Sequence, residues 1–215
     1  MRTQEVEIPG HPDRPIPLRV VDDVESLVDR DRLLNSRHTP DPPYWALVWI
    51  GARALAARML EVPPPPGARV LDLGCGLGLS GIAAALGGAE VTFADNVAVA
   101  LEFAESSAAL NGIGHHHCQV VDFCRDHLDR RFDLILAADI VYEPQAYRPL
   151  AEFLDQHLDE GGTILLSESL RADAKRFLEL MYARGFTGQR ETVWVIEEGR
   201  RERTWLHHLL RRTSD

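Results

Sequence analysis

The stretch Arg69-Val70-Leu71-Asp72-Leu73-Gly74-Cys75-Gly76-Leu77-Gly78-Leu79-Ser80-Gly81-Ile82-Ala83-Ala84-Ala85 decides the fold. Its apolar start reads as a buried strand, its glycines as a tight turn, and Leu79 onward as a helix. Glycines leave no side-chain bulk there, so backbone N–H groups and the helix N-terminus can approach the polar end of a ligand. Such a strand-turn-helix unit cradles nucleotides. Because Gly76-Leu77-Gly78-Leu79-Ser80-Gly81 also satisfies G-x-G-x-x-G, the glycines alone leave two cofactor classes open.

Asp72 separates them. It places a carboxylate two residues before Gly74, where the pyrophosphate of a dinucleotide would meet negative charge. S-adenosylmethionine (SAM) carries a sulfonium and an ammonium and no phosphate, so D-x-G-x-G suits it better than NAD. Glu90-Val91-Thr92-Phe93-Ala94-Asp95 reads as a second strand ending in an acid, about 20 residues beyond the first glycine, the ribose-hydroxyl position of such folds. Asp95, followed by Asn96, therefore supports a nucleoside ligand without choosing between cofactors.

Length and composition set the limits. A chain of 215 residues, 45% hydrophobic and 26% charged, suits one well-buried globular domain. The N-terminus shows no apolar leader, and no stretch approaches the ~18 apolar residues of a membrane span, so a cytoplasmic protein without membrane association is expected. Cys75, Cys118 and Cys124 are odd in number and lack ligand spacing, which argues against a disulfide framework and a metal site. A net charge of −10 disfavours a nucleic-acid partner and favours basic ones. A monomer is expected.

Strand and helix patterns alternate after residue 40. Seven strands are predicted near 68–73, 90–95, 117–121, 132–138, 162–167, 190–197 and 202–210, with helices near 79–87, 97–111, 144–158 and 170–184. The last two strands are joined by the short turn Glu197-Glu198-Gly199-Arg200 and must form an antiparallel hairpin, because a parallel pair needs a long crossover. The fold class is α/β: a Rossmann-like, seven-stranded methyltransferase sheet, mostly parallel with a C-terminal antiparallel hairpin and helices on both faces. Short alternating stretches between Glu5 and Asp29 suggest a small N-terminal β-hairpin. The organisation expected is an extension at 1–42 and a SAM-dependent methyltransferase domain at 43–215.

Asp41-Pro42-Pro43-Tyr44 is also a signature of nucleic-acid amino-methyltransferases, where it must end a core strand and stack on a flipped base. Polar residues precede it here and the net charge is unfavourable. Trp45, Val48, Trp49, Ala52, Leu55, Ala56 and Met59 recur instead at helical spacing, which predicts a helix begun after the prolines whose aromatic end could roof the cofactor.

Pro43-Tyr44-Trp45-Ala46-Leu47-Val48-Trp49, Val70-Leu71-Asp72-Leu73-Gly74-Cys75-Gly76 and Ala138-Asp139-Ile140-Val141-Tyr142, in that order, resemble the seven-β-strand protein lysine methyltransferases with a D-x-x-Y motif after the fourth strand. The front segment resembles the electron-transfer-flavoprotein β-subunit branch, and Ala-Asp-Ile-Val-Tyr the chaperone-directed branch. Members of this group are also named nicotinamide N-methyltransferases. The resemblance implies that Trp49 packs on SAM, that Gly74, Cys75 and Gly76 approach its methionine part, and that Asp95 and Asn96 hold its ribose. It further implies that Asp122 and Phe123 contact the adenine and that Ala138 lies beside the sulfonium.

The expected chemistry is in-line transfer of the SAM methyl to a neutral amine, leaving S-adenosylhomocysteine, with no metal required. Lysine has a pKa near ~10.4 and must first lose a proton, which a nearby carboxylate can orient. Asp139, following the predicted strand 132–138, is the candidate, and Tyr142 could wall the lysine channel or bond to Asp139. Glu168, just past another strand end, could contact the substrate amine or cap a helix. The expected partner is a protein bearing a target lysine on a basic surface, with a small amine or pyridine as the alternative acceptor and a non-catalytic SAM-binding protein as a third reading. His115-His116-His117 is expected in a solvated loop, and Arg200, Arg201, Arg203, Arg211 and Arg212 along a solvated hairpin edge.

Overall fold

The computed structural model describes residues 1–28, 42–169, 174–197 and 199–212. It begins with an antiparallel hairpin, β1 (Arg2–Ile8) and β2 (His11–Val20), turned by Gly10 at φ +76°. The main sheet follows: β3 (Arg69–Leu73), β4 (Glu90–Asp95), β5 (His116–Val120), β6 (Phe132–Ala138), β7 (Leu158–Ser169), β8 (Phe186–Glu197) and β9 (Arg200–Arg211). The helices are α1 (Ile50–Glu61), α2 (Leu79–Leu86), α3 (Ala98–Leu110), α4 (Tyr147–His157) and α5 (Lys175–Ala183).

The strand order is β5-β4-β3-β6-β7-β9-β8. The five strands β3 to β7 pair parallel, and β9 lies antiparallel between β7 and β8, so the sequence reading of the sheet and its closing hairpin holds. Successive residues of a strand point to opposite faces, and the sheet is buried on both. Val70, Leu134, Leu136 and Leu165 join α1, α2 and α3 in one core, whereas Leu71, Ile135, Ile164 and Leu166 join α4 and α5 in the other. Val6, Ile16 and Leu18 of the N-terminal hairpin are buried in the first core. The hairpin is fastened to α3, since Arg19 N–H donates to Ser107 Oγ at 2.9 Å and Asn111 Nδ2 donates to the Pro17 carbonyl at 2.8 Å.

Several boundaries differ from the sequence reading. Trp45, Val48 and Trp49 precede the helix instead of starting it. Tyr44–Ala46 form a 3-10 turn, Leu47 is extended, and α1 begins only at Ile50, with Trp49 extended as its N-cap. The period of the apolar residues could not show that break, because the side chains before it pack against the same core. The strand predicted at 190–197 starts at Phe186, paired all along to β9. β7 starts at Leu158, ahead of a register shift against β6. A 3-10 turn, Pro144–Ala146, precedes α4, and α5 is described from Lys175, residues 170–173 lying outside the described set. His116 and His117 belong to edge strand β5 and not to a loop. Arg211 is no solvated edge residue: it pairs with Asp155 and lies over the Phe186 ring.

Candidate active site

The direction of strand succession reverses between β3 and β6, where open parallel sheets bind ligands beyond their strand ends. A cleft of about 650 Å³ opens there. Trp49, Gly74, Cys75, Gly76, Asp95, Asn96, Asp122, Phe123, Ala138, Asp139 and Tyr142, all singled out in the sequence, line it together. Asp41 lies outside the described residues, while Pro42 and Tyr44 line the cleft.

The glycine turn forms one wall. Gly74, Gly76 and Gly78 have φ of +66°, +51° and +83°, the left-handed region where a side chain costs free energy. A Cβ on Gly76 would also sit 2.9 Å from the Trp45 carbonyl oxygen. Asp95 ties the turn to the end of β4: its Oδ2 accepts from Gly76 N–H at 2.9 Å and its Oδ1 from Val97 N–H at 3.0 Å. Burial pushes the Asp95 carboxyl up, opposed by those N–H groups and that of Asn96. Asp122 Oδ1 accepts from Cys124 N–H at 2.9 Å, which fixes the loop after β5. The Cys75 thiol is raised well above its ordinary value by burial and by Asp72 and Asp95, so it stays protonated and is no nucleophile.

Asp72 does not face the cleft. It is 1% exposed behind the glycine turn, where its Oδ2 accepts from Gly81 N–H at 2.8 Å in the first turn of α2. Burial pushes its carboxyl up to about 7, with Asp95 adding and Gly81 N–H opposing. The sequence argument placed its charge against the ligand, but strand alternation turns its side chain toward α2. The electrostatic preference comes instead from the lining itself. Asp95, Asp122, Asp139, Glu143 and Glu168 face Arg125 as the one Lys or Arg among the described lining residues. That donor-poor, acceptor-rich lining fits a cationic sulfonium nucleoside and opposes a pyrophosphate.

An aromatic wall lines the same cleft. Trp49 Nε1 donates to the Tyr44 carbonyl at 2.9 Å, and the Tyr44 ring meets Trp49 and Tyr142 edge-on at centroid distances of 5.7 and 6.0 Å. Asp139 lines the same cleft, at φ +52° the one non-glycine described residue in the left-handed region. Its Oδ2 accepts from Gly51 N–H at 2.9 Å, and its own N–H reaches Ser167 Oγ at 3.2 Å. Gly51 is there because a Cβ would lie 2.1 Å from Ser167 Oγ and 2.4 Å from Asp139 Oδ2. Sequence reasoning missed Gly51, although a glycine inside a helical pattern signals such close approach. It also missed His207, which meets the cleft residue Glu168 across β7 and β9.

The sequence profile described as lysine methyltransferase matches residues 48–184, and the chain belongs to that family. It is 35% identical over 142 residues to the electron transfer flavoprotein beta subunit lysine methyltransferase of Danio rerio, covering 64% of this chain and 55% of that protein. It is 32% identical over 150 residues to the protein N-lysine methyltransferase METTL21A of Mus musculus, covering 66% and 68%. The crystal structure of a ribosomal protein L11 methylase from Lactobacillus delbrueckii subsp. bulgaricus superposes with a TM-score of 0.58 at 25% identity, over 75% of this chain and 79% of that one. The match spans about half the length of the electron transfer flavoprotein relatives.

Proposed function

We propose that this chain is a SAM-dependent N-methyltransferase acting on a lysine side chain of a protein substrate. The observation that carries the reading is the meeting, in one predominantly acidic cleft, of the glycine turn, the aromatic wall and the Asp139-to-Tyr142 motif. Family membership and the names of the relatives, lysine methyltransferases of proteins, support it. Bound there, SAM supplies a methyl group already activated by its sulfonium.

The remaining work falls to this chain's own residues. Asp95 and Asn96 take the ribose hydroxyls, Asp122 and Phe123 the adenine, and Gly74, Cys75 and Gly76 offer close backbone approach to the amino-acid end. Ala138 leaves room beside the sulfur, and Trp49 with Tyr44 shields the site from water, which strengthens every charge interaction within it. Asp139 orients the acceptor amine and its departing proton, and Tyr142 walls the approach. The acidity of the chain, −10 overall, favours a substrate with a basic surface around its target. Residues 43–215 carry the transfer chemistry and 1–42 act as an extension fused to it. Among the described residues no helix is long and apolar enough to cross a membrane.

Incubation with methyl-labelled SAM and a cell extract tests the reading. A discrete labelled protein band supports it, and label confined to the small-molecule fraction contradicts the protein substrate. Calorimetric binding of NADH without binding of SAM would contradict the cofactor.

A further inference from the structure

Glu168 stands near the carboxyl end of β7 on the cleft wall, 5% exposed, and its Oε2 has no hydrogen-bond partner among the described residues. Its Oε1 lies 3.4 Å from Nε2 of His207, itself 3% exposed and without a hydrogen bond at that nitrogen among the described residues. The antiparallel register pairs Glu168 with Trp205 and Leu166 with His207, so Glu168 and His207 share a face of the sheet as diagonal neighbours. The backbone at this point is fixed, since Thr204 Oγ1 donates to the Glu168 carbonyl at 2.8 Å. Arg190, opposite His207 in β8, holds its guanidinium 4.6 Å from the Trp205 ring centroid.

A buried carboxylate oxygen without a donor is costly and persists where a ligand supplies the donor. Asp139, whose N–H meets Ser167 next to Glu168, lines the cleft beside it with Oδ2 already engaged by the N-terminus of α1. Resting on the lysine-methyltransferase reading, we infer that Glu168, positioned by His207, receives the cationic amine of the acceptor. The ligand class is a primary alkylammonium, which brings three N–H donors and no acceptor. The Tyr44 and Tyr142 rings line the same cleft and favour a cation there. Glu168 is then the carboxylate that receives the ammonium, His207 a positioning residue beside Oε1 at 3.4 Å, and Asp139 the carboxylate that orients the amine and its departing proton.

The experiment titrates n-butylammonium into the full chain, alone and loaded with S-adenosylhomocysteine, and follows binding by NMR. The wild-type chain is expected to bind it, Glu168→Gln to bind it about tenfold more weakly or not at all, and Glu168→Asp to recover part of the loss. His207→Gln is expected to weaken butylammonium binding by a smaller factor. Affinity for S-adenosylhomocysteine should match wild type and the melting temperature of Glu168→Gln should not fall below it, since the buried unpaired charge is removed, which separates this role from a structural one. Equal butylammonium binding by wild type and Glu168→Gln, no binding by wild type, or a loss confined to S-adenosylhomocysteine affinity would each overturn the inference. Butylammonium binding that depends on Glu168, without any labelled protein in the extract experiment, would sink the protein-substrate reading and leave the ammonium site standing.

Discussion

The backbone N–H of Gly51 donates to Oδ2 of Asp139 across 2.9 Å, joining the N-terminus of α1 to the end of β6. No side chain caps α1 from its own N-cap position, so a carboxylate 88 residues away does the work. Helix N-termini favour a nearby negative charge by about 0.3–1 kcal/mol, more when partly buried. The same contact fixes the side chain of Asp139, a cleft-lining residue with a left-handed backbone, so helix stability and site geometry share one hydrogen bond.

Gly51→Ala should break that junction. The added methyl would meet Ser167 Oγ and Asp139 Oδ2 at 2.1 and 2.4 Å, so both side chains must move away and the Asp139 contact is lost. Denaturant unfolding should show a loss of about 1–3 kcal/mol, the usual cost of overpacking. Methyl transfer should fall at least about tenfold, because small displacements of an aligned group are expensive in rate. A variant with full activity and full stability would refute the shared-junction interpretation.

Asp139→Asn keeps an oxygen for Gly51 N–H but removes the charge. Stability should drop by no more than about 1 kcal/mol, the helix-terminus share. Turnover should fall about 10²-fold or more if the carboxylate orients the departing proton, with affinity for S-adenosylhomocysteine nearly unchanged. Comparable losses in binding and turnover would reassign Asp139 to the cofactor.

Asp72 predicts a pH dependence of stability with a defined sign. Its folded carboxyl titrates at about 7, above its ordinary 3.8, so in this window the native chain holds a proton that the unfolded chain has released. Its contribution is therefore complete below about 4 and lost as pH rises through about 7, at up to about 1.4 kcal/mol per pH unit. Arg69 lowers the carboxyls of Asp133 and Asp159, which are thus ionised throughout the range 5–8. Asp95, also raised by burial, acts in the same direction and His157, lowered by burial, opposes it, so the sign is read from a difference. In melting curves of the ligand-free chains between pH 5 and 8, the stability of wild type relative to Asp72→Asn, which retains an acceptor for Gly81, should fall as pH rises. An unchanged slope in the variant would locate the proton elsewhere.

Gly76→Ala should act on the cofactor. It strains a φ of +51° and presses against the Trp45 carbonyl oxygen at 2.9 Å, pushing the turn and the segment before α1 apart. Calorimetry should show affinity for S-adenosylhomocysteine at least about tenfold weaker, with unfolding free energy reduced by about 1–3 kcal/mol.

Much of this architecture was legible in the sequence because local chemistry and global fold agree over β3 and α2. The apolar run, the glycines and the helix start of residues 69–86 each specify the same turn, and the short connection after Glu197 dictates an antiparallel pair. The start of α1 was not legible, because Trp45 and Val48 serve the core from outside the helix with a spacing that mimics helix. Asp72 was assigned the right neighbourhood and the wrong face. The motif specifies that a carboxylate belongs beside the turn, and only the strand's phase shows that it points at Gly81. Glu168 and His207 lie 39 positions apart and meet through the β7–β9 register, which no local pattern contains.

The central claim is methyl transfer to lysine, and the most direct test maps the product. A protein labelled by this chain with methyl-labelled SAM should, after proteolysis and mass spectrometry, carry added mass in steps of about 14 Da on a lysine side chain, and Asp139→Asn should slow its appearance about 10²-fold or more. Added mass on another residue type, or label found only on small molecules, would contradict the assignment.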